Sequence, residues 1–396
     1  MKNFDIAFPK DILNGDTTDV YFKRSETILK KECINRNVTM EIAQKGFPDV
    51  YDFGIFTGLY NVLDLLENKP VDIYSIDEGS LFFEDSPVMT VVGNYLDFGI
   101  YETAILGFLC HSSGIASKAA KCKLNAGEKP VLSFGARRAH PAISGMIDKY
   151  AYIGGCDGFS VVFTEKLVGK KASGTVPHAL ILQIGDTAET MRLFDIHIEP
   201  DVGRIALIDT FNDERFEAVN VAGLLKEKLE GIRIDTPGSR RGSLKKIAEE
   251  IRWELALRGY EHVKLFASGG LDENSIAELS DVIDGFGIGT SISNAKVMDF
   301  SMDIVEINGK PFSKKGKFSS FKELYQCEDC LHQKFSHLHK TLSNCEKCGG
   351  KMNKLTKKVM ENGKILIDKK SPDEIRENVI KLLPRLKGIR DEQCRG

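Results

Sequence analysis

The stretch SGGLDENSIAELSDVIDGFGIGTSI, Ser268 to Ile292, decides the fold. It holds two glycine-bearing turns, SGGL and GIGT, with a helix-like segment between them. Each turn follows a short apolar run, VKLFA or GFGI, of the kind a buried strand shows. Strand, turn, helix, strand, turn is the order of a parallel βαβ unit. Glycines at both strand ends remove the Cβ atoms that would keep an anion off the backbone, and a helix starting there adds unpaired N–H groups. Gly269, Gly270, Gly287 and Gly289, with the hydroxyls of Ser268 and Thr290, are therefore candidates to hold a phosphate. Tight turns also use glycine, so the residues alone leave packing open beside binding.

The unit recurs upstream. RIALIDTF precedes the helical pattern ERFEAVNVAGLLKEKLEG, IRIDTPG precedes SLKKIAEEIRWELALRGY, and VKLFASGG precedes DENSIAELSDV. Asn212 or Asp213, a residue between Ser239 and Ser243, and Asp272 stand where N-caps belong. PVLSFGARR, DGFSVVF and HALILQIG read as further strands, about seven in all between Val131 and Ile292. The expected fold class is α/β, with an irregular or incomplete TIM-like barrel over residues 116–298. Residues 1–115 alternate differently and read as a separate α+β unit that feeds a long helix into the barrel. Residues 299–396 shift to Lys, Ser and Cys and read as a third, smaller unit.

Composition bounds the function. Fifty-four basic and 57 acidic residues give a formal charge of -3. That balance argues against nucleic acid or a membrane surface as a bulk partner. The most apolar stretch, TVVGNYLDFGIYETAILGFLC, is interrupted by Asp97 and Glu102, so no membrane span is expected. MKNFDIAFPKDIL carries no signal-peptide core. Cysteine usage, nine and mostly scattered, reads as a reducing, cytoplasmic compartment. The exception is Cys327, Cys330, Cys345 and Cys348, two CxxC knuckles with fourteen residues between them. Two such knuckles complete a tetrahedron of thiolates, so a structural Zn²⁺ is expected with no open position for catalysis. His332, His337 and His339 lie between the knuckles and read as solvated side chains.

Chemistry-bearing residues gather at the predicted strand ends. Asp209 ends one strand, Arg233 and Asp235 the next, and Phe134, Arg137, Arg138 and His140 another. Carboxylates flanked by arginines suit a ligand that carries phosphates and a divalent metal. Each taken singly is as readily an ordinary ion pair on a loop.

An ordered set of motifs goes further. TDVY (Thr18–Tyr21), SFGARRAH (Ser133–His140), GGCDG (Gly154–Gly158), SGTVPHAL (Ser173–Leu180), RIDTPG (Arg233–Gly238), SGGLDE and GFGIGT together resemble nicotinate phosphoribosyltransferase. The likeness is to the shorter archaeal-type enzymes with a C-terminal cysteine knuckle. The resemblance implies the type II phosphoribosyltransferase fold: an N-terminal α/β sandwich, an irregular barrel, and an active site at the subunit interface of a homo-oligomer. It implies synthesis of nicotinate mononucleotide and pyrophosphate from nicotinate and 5-phosphoribosyl 1-pyrophosphate in NAD biosynthesis. Mg²⁺ would accompany the pyrophosphate, and ATP would be a co-substrate. On that resemblance the glycine turns hold the ribose 5-phosphate, Asp209 and Asp235 serve ribose hydroxyls or Mg²⁺, and Arg233 pairs with phosphate. Phe134 and Tyr21 sandwich the pyridine ring, with Tyr21 supplied by the neighbouring subunit. Arg138, with Arg137 nearby, takes the carboxylate, and His140 lines the pocket beside Arg138. His178 accepts a phosphoryl group, with Thr175 beside it among the substrate-binding residues. Asp157 is the residue an amide-selective pocket would use. Quinolinate phosphoribosyltransferase, which binds a dicarboxylate and releases CO₂, is the alternative. A phosphosugar barrel of another activity leaves the ARRAH cluster without a role.

Overall fold

A computed structural model describes residues 4–48, 51–337 and 340–393. The chain divides into two compact units, residues 1–117 with 296–396, and residues 118–295.

The first unit is built on a seven-stranded antiparallel sheet. Its order is Lys310–Pro311, Phe300–Ile307, Asn37–Gln44, Pro87–Asn94, Val71–Ser75, Lys357–Glu361, Lys364–Ile365. Asn37–Gln44 is an interior strand beside the central Pro87–Asn94, nearly all of it buried, and pairs Ile42 with Met302 on one side and with Met89 on the other. The core joins Ile42, Leu59, Leu63, Ile73 and Val91 to Phe300, Leu324 and Val359. Residues 299–396 therefore do not stand as a third body. Phe300–Ile307 is an apolar strand that pairs with Asn37–Gln44 and packs Phe300 on Phe56 and Phe82 of the first unit. The cysteine-rich part does form its own three-stranded sheet, Gln333–His337, Lys322–Cys327 and Met352–Lys354. Its small core is Tyr325, Cys327, Cys345 and Met352. Among the described residues no helix is long and apolar enough to cross a membrane.

The second unit is a curled half-barrel of six parallel strands. Their order is Gly158–Phe159, Val131–Ser133, Gly285–Ile288, Lys264–Ala267, Gly231–Ile234, Ile205–Leu207. Parallel strands covered on both faces read as short continuous apolar runs. Val131, Leu207, Ile232, Ile234, Leu265, Phe286 and Ile288 are accordingly all fully buried. The expected seventh strand, HALILQIG, is instead the helix His178–Ile184, closed by Gly185 in the left-handed region at φ 91°. Pro177 ahead of it and a left-handed glycine behind it are helix punctuation, which outweighs the apolar run between them. The caps fall on Asp213, Ser243 and Asp272, whose side chains accept from Arg215, Lys246, and Asn274 with Ser275. Because all six strands run the same way, their carboxyl ends share one edge, and the turns that follow them meet there.

Candidate active site

Two neighbouring strand ends at that edge carry one hydrogen-bonded network, and a third carries a separate His–Asp pair. Arg233, at the end of Gly231–Ile234, donates from Nη1 to Ser268 Oγ at 3.0 Å and from Nη2 to the Val176 carbonyl at 3.2 Å. Ser268 Oγ donates to Asp235 Oδ1 at 2.8 Å, and Asp235 Oδ2 lies 3.4 Å from Arg233 Nη1. Arg233 Nε is buried without a hydrogen-bond partner, which leaves a donor for an oxygen-rich ligand. Burial lowers the Arg233 pKa, Asp235 and Asp209 raise it, and the nearby Arg137 lowers it again. Four charges of both signs thus feel one another at this edge.

Asp209 follows Ile205–Leu207 and has a side chain only 2% exposed. Its Oδ1 meets His178 Nε2 at 3.1 Å. Burial pushes the Asp209 carboxyl up, and the contact with His178 draws it back down. An ionised Asp209 fixes the proton on Nε2 and leaves the lone pair on Nδ1. His178 is half-buried at the first position of its helix. Thr175 is half-buried in the segment leading to it, and Val176 beside it is tied to Arg233.

The loop after Val131–Ser133 carries the expected ring and cations. Phe134 N donates to the Ile288 carbonyl at 2.8 Å, and Arg138 N to the Gly135 carbonyl at 2.9 Å. Arg137 and Arg138 form a 3-10 turn with Ala136, and both are exposed. His140 is exposed and its Nδ1 accepts from Ala142 N at 3.2 Å, so it caps the helix Pro141–Ile153.

The glycines divide by cause. A Cβ on Gly287 would stand 2.5 Å from the Phe134 ring, so this glycine is the seat of that ring. Gly269 has φ +86° and an added Cβ would meet Asp235 Oδ1 at 2.9 Å. Gly270 has φ +74° and open space around it, and Gly289 has only a distant neighbour. These last two are where a ligand oxygen can approach backbone. The helix after SGGL does not lend its N-terminus, because Asp272 already accepts from Asn274 N and Ser275 N at 3.1 and 2.9 Å. Thr290 opens a short helix whose Gly289 cap makes no side-chain hydrogen bond.

Two expected site residues lie elsewhere. Asp157 precedes its strand rather than following it, and accepts from Lys123 Nζ and Val131 N, both at 2.9 Å. Val131 begins its strand, so Asp157 belongs to the amino edge, away from the network. Tyr21 lies in the first unit, 55% exposed, with its hydroxyl on Asp19 at 3.2 Å. One residue was missed. Asp148, fully buried on Pro141–Ile153, accepts from Ser133 Oγ at 2.7 Å and from Ser160 N and Val161 N at 3.1 and 2.9 Å. An acid among the apolar positions of PAISGMIDKYAYI was the available signal.

The four knuckle sulfurs lie within 4.8 Å of one another. Cys327 to Cys348, Cys330 to Cys345 and Cys330 to Cys348 are 3.4, 3.6 and 3.4 Å apart. Tetrahedral Zn–S bonds of about 2.3 Å need S–S edges of about 3.8 Å, so the set fits zinc after small outward shifts. His332 contacts Glu346 at 3.3 Å and His337 is exposed. His339 lies outside the described residues.

Comparison with known proteins follows the same division of the chain. The family model "Quinolinate phosphoribosyl transferase, N-terminal domain" matches residues 19–113, and its C-terminal companion matches residues 115–303. The chain is similar to nicotinate phosphoribosyltransferase pncB1 of Mycobacterium tuberculosis, 32% identical over 262 residues. That alignment covers 64% of this chain and 56% of the relative, so the chain spans little more than half the length of that curated relative. The Bacillus subtilis nicotinate phosphoribosyltransferase is 28% identical, with 74% of this chain and 66% of that one covered. Among solved structures, a nicotinate-nucleotide pyrophosphorylase from Pyrococcus furiosus superimposes with a TM-score of 0.96 at 47% identity, covering 98% of this chain and 99% of that one. Human nicotinic acid phosphoribosyltransferase shares the fold, with a TM-score of 0.73 at 19% identity over 93% of this chain and 94% of that one.

Proposed function

The chain belongs to the type II phosphoribosyltransferase family of these domains, and from that premise we propose that it joins nicotinate to 5-phosphoribosyl 1-pyrophosphate. The product is nicotinate mononucleotide, on the way to NAD. The pyridine nitrogen attacks ribose C1 with its lone pair. The bond from C1 to pyrophosphate oxygen breaks, and pyrophosphate leaves with that electron pair. Positive charge grows on the ribose and negative charge on the leaving group. Fixed groups act most where those charges develop.

The observation that carries this reading is the Arg233–Ser268–Asp235 network beside the His178–Asp209 pair at one strand edge. Asp209 and Asp235 face the ribose hydroxyls and the growing positive charge. Arg233 pairs with phosphate oxygen. Gly270 and Gly289 let the 5-phosphate reach backbone amides. Phe134, seated on Gly287, stacks one face of the pyridine and holds its nitrogen in line with C1. Tyr21, exposed in the first unit, suits a ring lent to a second copy of the chain. Two carboxylates suit Mg²⁺, which binds one or two such groups plus substrate phosphates, and Asp209 and Asp235 would hold it. When bound it would neutralise charge on pyrophosphate.

Relatives named nicotinate phosphoribosyltransferase support the acid as substrate. So do the two exposed arginines, Arg137 and Arg138, beside Phe134 on the loop after Val131–Ser133. A dicarboxylate such as quinolinate would call for cations from several elements. His178, with Nδ1 left as nucleophile by the bond from Nε2 to Asp209, would take the γ-phosphoryl group of ATP and later yield it to water. The Cys327, Cys330, Cys345 and Cys348 set would hold a structural Zn²⁺.

The test is a product assay with nicotinate, nicotinamide and quinolinate in parallel, each with and without ATP. Nicotinate mononucleotide from nicotinate, raised by ATP, is the expected result. CO₂ and product from quinolinate alone would overturn it.

A further inference from the structure

Resting on that reading, we propose that Asp148 is the positioning residue of the aromatic-acid pocket, clamping two neighbouring strand ends so that Phe134 and Arg138 meet the ring and carboxylate together. The carboxylate is fully buried. Its three donors come from the ends of two neighbouring strands. Ser133 Oγ, at 2.7 Å, belongs to the last residue before Phe134. Ser160 N and Val161 N, at 3.1 and 2.9 Å, open the turn after the neighbouring strand Gly158–Phe159.

The Phe134 loop is thereby held from both sides. On the far side Phe134 N bonds the Ile288 carbonyl, and Gly135 lies so close to Gly289 that an added Cβ would sit 2.6 Å from its carbonyl oxygen. On the near side Asp148 supplies the restraint through the Ser133 hydroxyl. The second turn matters to His178 as well. Ser173 N donates to the Phe159 carbonyl at 2.7 Å, so the segment that leads to His178 starts from the strand whose end Asp148 grips.

A buried carboxylate is a costly way to fill space, because it must recover its lost hydration through hydrogen bonds. Burial pushes the Asp148 carboxyl up, and its three donors pull it back. An apolar side chain would serve packing alone. What an acceptor with two oxygens does here is carry the pairing past the end of the ladder, which stops at Ser133 opposite Phe159, by tying the Ser133 hydroxyl to the amides of Ser160 and Val161. A displacement of about 1 Å in a binding group can cost on the order of a hundredfold in rate, so such a clamp acts on function as well as on folding.

The experiment compares the full chain with its Asp148→Ala, Asp148→Asn and Ser133→Ala variants, reading KM for each substrate and the melting temperature. Asp148→Ala should raise the nicotinate KM by about tenfold, the scale of a lost charged hydrogen bond, while the KM for 5-phosphoribosyl 1-pyrophosphate stays within about twofold. Asp148→Asn should restore most of it. Its Oδ1 accepts from both amides and its Nδ2 donates to Ser133 Oγ, whose hydroxyl turns round. Ser133→Ala, the milder change, should raise the nicotinate KM about threefold and carries the test if Asp148→Ala does not fold. A rise in both KM values together, no rise in either soluble variant, or an Asn variant as impaired as the Ala variant, overturns the proposal. A parent chain that forms no product sinks the functional reading and this inference with it. An active parent without the KM split sinks the inference alone.

Discussion

At the scale of single residues, His178 and Asp209 share one hydrogen bond of 3.1 Å, and that bond decides which imidazole nitrogen is available. With an ionised carboxylate on Nε2 the proton sits there, and Nδ1 keeps the lone pair that the phosphoryl-transfer proposal needs. His178→Ala should abolish the stimulation of nicotinate mononucleotide synthesis by ATP while basal synthesis continues. The measurement is product formed per minute with and without ATP, and equal stimulation in variant and parent would end the phosphoenzyme idea. A second residue bears on stability. Glu102, in the first unit, is half-buried and lines a cavity of about 620 Å³ with Leu29, Val38, Met40 and Met302. Its carboxyl is raised from 4.5 to about 7, first by burial, then by Asp303, against Lys314, with Asp19 adding to the rise. The folded chain therefore holds this proton to higher pH than the unfolded chain. Its contribution is fully present below 4.5 and is lost as pH climbs through about 7. Glu102→Gln should flatten the fall in melting temperature over that window. An unchanged slope would mean that the charge is relieved by water or by Lys314.

At the scale of elements, glycine placement separates the two uses of a turn. Gly287→Ala would put a methyl into the Phe134 ring, so ring and loop must move. The nicotinate KM should rise by about tenfold or more, as for other displaced binding groups. Gly270→Ala meets no protein neighbour, so its cost in stability is the left-handed φ, about 1 kcal/mol, while its methyl stands where the 5-phosphate is proposed to approach, and the KM for 5-phosphoribosyl 1-pyrophosphate should rise. A drop in melting temperature without a nicotinate effect at Gly287 would detach Phe134 from substrate binding. The parallel units, their caps and the strand-end position of Asp209, Arg233, Asp235 and Ser268 were legible in the sequence, because periodicity and cap chemistry are local. HALILQIG misled because an apolar run of strand length lies between helix punctuation marks, and the run was weighed first. Asp157 misled because DGF reads as a strand with its acid attached, and an acid that enters a parallel strand lies at the amino edge while one that leaves it lies at the carboxyl edge. Asp148 was silent because nothing local distinguishes a buried acceptor from a solvated acid on a helix. Its partners are set by tertiary contacts.

At the scale of the molecule, what the sequence hid was long-range pairing. Asn37–Gln44 reads as a strand by itself, yet its partner Phe300–Ile307 comes after the whole of the second unit has been traversed. Local pattern carries no address for such a partner, so the chain after 299 read as a separate domain. The consequence reaches the cysteine module. Its strand Lys322–Cys327 delivers Leu324 to the large core of the first unit, and Leu324 N is held by Thr356 Oγ1 at 2.9 Å. The next strand, Lys357–Glu361, pairs with Val71–Ser75 in the seven-stranded sheet. The four thiolates thus close a small sheet that is stitched into a large one, while the proposed catalytic network belongs to the second unit. Zinc binding at such sites is worth on the order of 10 kcal/mol, more than the module's few apolar side chains supply. One zinc per chain is expected by elemental analysis of the purified protein. Removing it with a thiol-reactive mercurial and a chelator should lower the melting temperature by about 5 °C or more and expose the core around Leu324 to hydrogen exchange. The nicotinate KM of whatever stays folded should not change. A metal-free chain with the same melt and the same exchange would make the four cysteines a reduced cluster without a metal. A nicotinate KM that rises with zinc loss would instead tie the knuckle to the strand-end site.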